Sequence, residues 1–117
     1  MSGIFENCES LESIDVSNFD TSSVIDMSYM FKGCETLTAL DLLNFDTSKV
    51  IDMSYMFLGC INLTSINLNN FNTSVVNNMS RMFENCESLE SIDVSNLDTS
   101  SAIDMSYMFK GDRKSVV

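Results

Sequence analysis

Residues 37–60 read LTALDLLNFDTSKVIDMSYMFLGC, and the same order of residue types returns along the rest of the chain. Phenylalanine recurs every 26 residues, at Phe5, Phe31, Phe57, Phe83 and Phe109. Cysteine keeps the same interval, at Cys8, Cys34, Cys60 and Cys86. A strict repeat gives each copy equivalent surroundings, so we expect neighbouring repeats to pack against one another in the same way.

The other apolar positions predict one hydrophobic core shared by all the repeats. A single repeat of this length is too small to bury a sufficient core alone, so its neighbours must cover its apolar faces. The predicted core residues are Leu11, Ile14, Met27, Phe31, Cys34, Leu37, Leu40, Met53, Phe57, Cys60, Leu63, Ile66, Met79, Phe83, Cys86, Leu89 and Ile92.

Two kinds of regular structure are predicted in each repeat. Leu40 to Leu42 alternates apolar and polar types, which favours a short half-buried strand. The polar run after it, residues 44–48, is typical of a turn. Met27, Met30, Phe31 and Cys34 follow the spacing of one helical face, with Asp26 as a candidate N-cap, so we predict a short helix from Met27 to Lys32.

These elements together predict an α/β repeat solenoid. Its leucine-rich-repeat-like coils would each contain a short parallel strand and a short helix, in a single curved stack with the strands on the concave face. Residues 1–111 form the predicted array, of about four coils of 26 residues without terminal capping repeats. Residues 112–117, DRKSVV, leave the register and resemble the translation of a sequencing adapter. We therefore interpret the array as a fragment and residues 112–117 as an artefactual tail.

The pattern in Leu37 to Cys60 resembles the BspA-type leucine-rich repeat of bacterial surface proteins and lipoproteins. This resemblance implies a cell-surface array, anchored to lipid or to the cell wall, that adheres to host or neighbouring-cell proteins. It also implies a protein that is not an enzyme. The Asn44-Phe45 pair arrives earlier than in the general leucine-rich pattern.

Composition disfavours several classes of function. The chain has no histidine, six basic and seventeen acidic residues, and a formal net charge of -11. Such a charge repels nucleic acid and anionic lipid surfaces, and no apolar run is long enough to span a membrane. Without histidine, a nucleophile with a base or a phosphate-binding loop, we expect no catalysis, no cofactor and no metal centre.

A row of acidic and polar side chains on the predicted strand face is the candidate partner-binding site. Neighbouring like charges in such a row repel one another, and this repulsion has no evident structural return. Such a row can meet a basic protein surface or loosely hold Ca²⁺, while the favoured interpretation of its charge is a solvated face that keeps the array soluble. The candidate residues are Asp15, Ser17, Asp41, Asn67, Asp93 and Ser95.

Two further sets of residues have alternative interpretations. The four cysteines match no zinc or redox spacing, so we expect buried free thiols rather than a metal site or disulfides. Tyr29, Tyr55 and Tyr107, with Arg81 at the equivalent position, form an aromatic row suited to protein contacts if they are exposed.

Three functions remain open from the sequence. The first is a surface array that binds a host or neighbouring-cell protein through its strand face. The second is a structural spacer or stalk that projects another domain, and the third is an intracellular leucine-rich repeat scaffold. The uncapped ends also allow end-to-end association of such arrays.

Overall fold

Consecutive repeats are joined by a ladder of backbone hydrogen bonds. The computed structural model describes residues 1–90, 92, 97–98, 100–104, 106, 108–109 and 111. Around the buried phenylalanine of a repeat, every second backbone N–H donates to a carbonyl of the following repeat. The N–H of Tyr29 donates to the carbonyl of Ser54 at 3.0 Å, and the N–H of Phe31 donates to that of Met56 at 2.9 Å. The register is repeated at Tyr55 and Phe57. Adjacent repeats therefore lie in contact along their length.

The described residues contain two strands, β1 (Ala39–Asp41) and β2 (Ser65–Asn67). They pair in parallel, with Leu40 opposite Ile66 and Asp41 opposite Asn67. Leu40 points inward between two exposed neighbours, as the alternation of apolar and polar types predicts. A second parallel contact runs through single bridges that link Asp26 to Asp52, Asp52 to Asn78 and Asn78 to Asp104.

The predicted helix from Met27 to Lys32 is wrong. Tyr29 has a φ of 61°, in the left-handed region, which a right-handed helix does not allow. The N–H of Lys32 bonds three residues back, to the carbonyl of Tyr29 at 3.1 Å, whereas the N–H of Phe31 leaves the segment for the next repeat. A series of tight turns, with a second left-handed residue at Gly33, also brings Met27, Met30, Phe31 and Cys34 to one side.

The predicted fold class, a curved α/β repeat solenoid, is wrong for the same reason. The described part of the chain has no helix, and its two three-residue strands form one small sheet. The molecule is a compact body of 30 × 29 × 21 Å, with a radius of gyration of 12.7 Å. No helix among the described residues has the length and apolar character needed to cross a membrane.

A column of phenylalanine rings runs through the centre of the core. The rings of Phe31 and Phe57 are nearly parallel, at an interplanar angle of 1°, with their centroids 5.7 Å apart. The same stacking continues from Phe57 to Phe83 at 5.3 Å and from Phe83 to Phe109 at 5.4 Å. These separations are in the favourable range for aromatic pairs.

Most predicted core residues surround this column. From Met27 to Ile92 they are buried, apart from Ile66, which is half-buried beside the sheet. Leu11 is 39% exposed and Ile14 is half-buried, so the prediction of a core position is wrong for Leu11. The equivalent Leu37 in the next repeat is fully buried.

Buried threonines connect the repeats at their turns. Thr47 is 1% exposed, and its hydroxyl donates to the carbonyl of Asn72 at 3.0 Å while it accepts the N–H of Asn72 at 2.8 Å. Thr21 and Thr73 make the same pair of bonds to Asp46 and Asp98. Each buried hydroxyl is therefore satisfied by the backbone of the next repeat.

Replacement of Phe57 by alanine tests the contribution of the phenylalanine column. Because the ring lies between two stacked neighbours in a dry core, the variant should lose about 3–5 kcal/mol in the free energy of unfolding, measured with urea. Ile61→Ala is the control, since Ile61 is 36% exposed and should cost within about 0.5 kcal/mol. Equal losses in the two variants would contradict the described core.

Candidate functional site

An open groove of about 470 Å³ lies over the paired strands. Because β1 and β2 lie in register, their side chains form adjacent rows along this groove. We call it the strand-face groove, and its lining residues are Ile14, Ala39, Leu40, Asp41, Ser65, Ile66 and Asn67. A smaller hollow of about 220 Å³ shares Ile14 and Asp41 with it and is lined further by Asp15, Val16, Ser17, Leu43 and Asn44.

The structure brings four of the predicted partner-binding residues together. Asp41 lines both the strand-face groove and the smaller hollow, Asn67 lines the groove, and Asp15 and Ser17 line the hollow. Asp93 and Ser95 lie outside the described residues. The site therefore combines one carboxylate from each of two neighbouring repeats with the amide of Asn67 from the third.

The described acidic side chains of this row, Asp15 and Asp41, each close a turn, a structural role that the sequence analysis did not predict. Asp15 Oδ1 accepts the N–H of Ser17 at 3.0 Å, and Asp41 Oδ1 accepts the N–H of Leu43 at 3.0 Å. Asn67 Oδ1 accepts the N–H of Asn69 at 3.0 Å. An amide oxygen does the same work as a carboxylate oxygen in this Asx turn, which explains why Asp and Asn exchange at this position.

The turns also fix how these carboxylates can bind. The side chain and backbone N–H of Ser17 lower the pKa of Asp15 from its ordinary value, so this exposed carboxyl is ionised at neutral pH. Asp15 and Asp41 each use Oδ1 in the turn, so Oδ2 can accept from a ligand without breaking the turn. Chemically, the arrangement offers oriented anionic acceptors beside the half-buried apolar side chains of Ile14 and Ile66.

A third hollow, of about 450 Å³, lies beside the strands and was missed by the sequence analysis. Its walls are mostly hydroxyl and amide side chains, namely Glu12, Thr36, Thr38, Asn62, Thr64 and Ser88. Several of these groups already bond to the preceding repeat, as Thr64 does to the carbonyl of Thr38 at 3.0 Å and Asn62 to that of Glu35 at 2.7 Å. The recurrence of small polar residues at positions 36, 62 and 88 could have indicated this hollow from the sequence.

The four cysteines are free thiols, as the sequence predicts. Cys34 and Cys60 are buried, and each donates its S–H to a phenylalanine carbonyl of the preceding repeat, at 3.1 Å and 3.2 Å. Burial raises the pKa of Cys34 to about 11 and that of Cys60 to about 12. The thiolate needed for nucleophilic attack is therefore scarce at neutral pH.

The aromatic row is half-exposed where it is described. The rings of Tyr29 and Tyr55 stack with centroids 4.7 Å apart, and the Arg81 guanidinium lies 5.9 Å from the Tyr55 centroid. Arg81 also pairs with the carboxylate of Glu84 at 2.9 Å. Tyr107 lies outside the described residues. Tyr29 and Tyr55 thus present ring edges, since their faces are partly covered by one another.

No group of three or more His, Cys, Asp or Glu side chains in the described part of the chain is arranged to hold a metal ion. The aspartates of the strand-face groove come singly from successive repeats, and each is committed to its own turn.

These features define a repeat protein with a groove of mixed apolar and polar lining over its strands. The chain belongs to the family described as "Mycoplasma protein of unknown function, DUF285", whose model matches residues 1–116. This is a Mycoplasma repeat family related to BspA-like surface repeat proteins. Comparison with curated proteins and with solved structures finds no match.

Alkylation tests the state of the thiols. Iodoacetamide at pH 7.5 should modify the half-buried Cys8 well before the buried Cys34, Cys60 and Cys86, because a raised pKa and burial both slow attack. Peptide mass spectrometry of the native protein measures the order, and the urea-unfolded protein, in which all four should react alike, is the control. Rapid native labelling of Cys60 would contradict the buried position.

Proposed function

We propose that the chain is a non-enzymatic, BspA-like surface repeat module that mediates adhesion. In this proposal the strand-face groove binds a protein of a host or neighbouring cell, with the module outside the cell. The observation that carries the proposal is that Asp41 and Asn67 line the strand-face groove while Asp15 and Ser17 line the smaller hollow, which shares Ile14 and Asp41 with it. The family's relation to surface repeat proteins supports the location.

The chemistry of the groove favours a basic partner surface. Ionised carboxylates with a free Oδ2 accept charge-assisted hydrogen bonds from lysine or arginine, which are about twice as strong as neutral ones. The half-buried Ile14 and Ile66 supply apolar contact area beside them. The turn bonds hold the acceptors in place before binding, so little side-chain entropy is lost when a partner docks.

A non-catalytic role is supported by the repetition itself. Carboxylates that act as acid and base need unlike surroundings, whereas Asp15 and Asp41 each lie in the same kind of turn. The high thiol pKa values of Cys34 and Cys60 disfavour covalent catalysis.

A structural spacer is the second candidate function. It is favoured by one specific observation: every described aspartate of the row has a structural task in its turn, so a ligand is not needed to account for it. Binding to a basic partner requires the negative charge on the strand face, whereas a spacer requires only that the turns stay closed.

The double variant Asp15→Asn/Asp41→Asn separates charge from turn geometry, because Asn67 closes the same turn in the next repeat. Beads that carry the unaltered chain should adhere to cultured epithelial cells, and beads that carry the double variant should adhere about tenfold less, which corresponds to about 1.4 kcal/mol. Retained beads are counted after washing at physiological salt.

The matched control is Glu9→Gln/Glu35→Gln, which removes the same charge from two exposed, equivalent positions that line neither the groove nor the smaller hollow. Ile61 occupies this position in the third repeat, so the fold does not require a carboxylate there. The control should adhere like the unaltered chain. Equal adhesion of both double variants and the unaltered chain, or no adhesion by any of them, would overturn the binding role and leave the spacer.

A further inference from the structure

An exposed apolar row lies on a different part of each repeat from the strand-face groove. Ile25 is 57% exposed, Ile51 is 41% exposed and Ile103 is 86% exposed. The three residues occupy equivalent positions in their repeats, and we call them the isoleucine ridge.

Backbone hydrogen bonds fix the register of this ridge. The N–H of Ile51 donates to the carbonyl of Ile25 at 2.8 Å, and the N–H of Asn77 donates to that of Ile51 at 2.9 Å. The N–H of Ile103 then donates to the carbonyl of Asn77 at 2.7 Å. Asn77 interrupts the apolar row, but Val75, two residues before it, is 46% exposed. The ridge therefore has an isoleucine in three of four successive repeats, with Asn77 at the equivalent position of the third.

Two rows of aspartates flank the ridge along the chain. One row follows it directly and consists of Asp26, Asp52 and Asp104. The other precedes it by five residues and consists of Asp20, Asp46 and Asp98. In both rows the carboxylate closes a turn onto the serine two residues later, as Asp46 does with the N–H of Ser48 at 3.0 Å.

The turn bonds orient the aspartates of both rows. Hydrogen bonds from Ser22 and Ser48 lower the pKa values of Asp20 and Asp46. Only Oδ1 of Asp46 accepts the bonds from Ser48, so Oδ2 can accept from a cationic group while the turn stays closed. The charge of Lys49 also lowers the pKa of Asp46, by less than the bonds from Ser48.

Charge and shape select the occupant. A second copy of this chain carries the same aspartate rows and is repelled, and so is an anionic lipid surface. An apolar stripe beside lysine or arginine complements the ridge and the aspartates that directly follow it in the chain, and a basic amphipathic helix presents that pattern.

The repeat spacing matches such a helix. Neighbouring repeats pair as parallel strands do, at about 4.8 Å, so the ridge from Ile25 to Ile103 spans about 14 Å. Along a helix axis, positions i+3 and i+4 lie about 4.5–6 Å beyond position i, which is close to the spacing between repeats. Three turns of such a helix therefore place one apolar residue against each repeat. We propose that the isoleucine ridge and its flanking aspartates bind a basic amphipathic helix of a partner protein, lying along the direction in which the repeats succeed one another.

A defined peptide tests this surface. The probe is fluorescein-labelled LKKLLKLLKKLLKL, and its affinity for the whole chain is measured by fluorescence anisotropy at 50 mM and 200 mM NaCl. We expect saturable one-to-one binding that weakens at the higher salt concentration. The variant Ile25→Ser/Ile51→Ser should bind at least about tenfold more weakly, since apolar contact is lost while the charge is unchanged.

Two controls make the result decisive. Ile4→Ser/Ile61→Ser removes two isoleucines of similar exposure, 49% and 36%, from other positions and should bind like the unaltered chain. The same peptide with alternating D-residues, which cannot form the helix, should bind at least about tenfold more weakly. Equal affinity of the ridge variant and its control, or equal affinity for both peptides, would show only unspecific attraction to an acidic protein and would overturn the proposal.

Discussion

The backbone ladder between repeats is the interaction on which the rest of the structure depends. Each repeat has almost no regular secondary structure of its own, so its N–H groups need partners in the next repeat. The bonds from Tyr29, Phe31 and Gly33 to Ser54, Met56 and Leu58 supply them at 2.8–3.0 Å. Once this register is set, the phenylalanine column, the buried threonines and the thiol bonds all recur at the same interval.

Polar side chains bond to backbone groups that the ladder between repeats does not pair. Aspartate or asparagine closes each turn on its own repeat, while threonine and asparagine reach across to the adjacent one. The Asn44 amide, for example, donates to the carbonyl of Ser17 at 3.0 Å. The third repeat replaces three turn aspartates by Asn67, Asn72 and Asn78 and keeps all three turns, which shows that geometry rather than charge is required for folding. The negative charge elsewhere is thereby available for binding.

Sequence periodicity predicted the buried positions well, but it predicted the backbone poorly. Phe31, Phe57 and Phe83 are fully buried because a strict interval reports a repeated environment. The helix failed because the spacing of Met27, Met30, Phe31 and Cys34 also fits a chain of tight turns, and no rule of apolar spacing reveals the left-handed backbone at Tyr29. The residue type does not predict this conformation either, since tyrosine rarely adopts a positive φ. The strand Ala39–Asp41 begins one residue before the predicted Leu40.

The sequence predicts which residues belong to the candidate site, but it does not predict the shape of the surface that they form. Asp15, Asp41 and Asn67 stand out in the sequence because they share a register position. Parallel pairing places Asp41 opposite Asn67, and Asp15 lines the smaller hollow together with Asp41. Their turn bonds depend on the path of the backbone after each strand, which composition does not determine. The groove itself arises from the half-buried Ile14 and Ile66, whose apolar character alone suggested full burial.

Amide hydrogen exchange, followed residue by residue by NMR, tests the ladder most directly. The N–H groups of Phe31, Tyr55 and Phe57, which donate to the following repeat, should exchange at least about a thousandfold more slowly than in an unfolded chain. The N–H of Ser48, which bonds only to an exposed carboxylate on its own turn, should exchange much faster. Exchange of Tyr55 and Phe57 as fast as that of Ser48 would contradict the account.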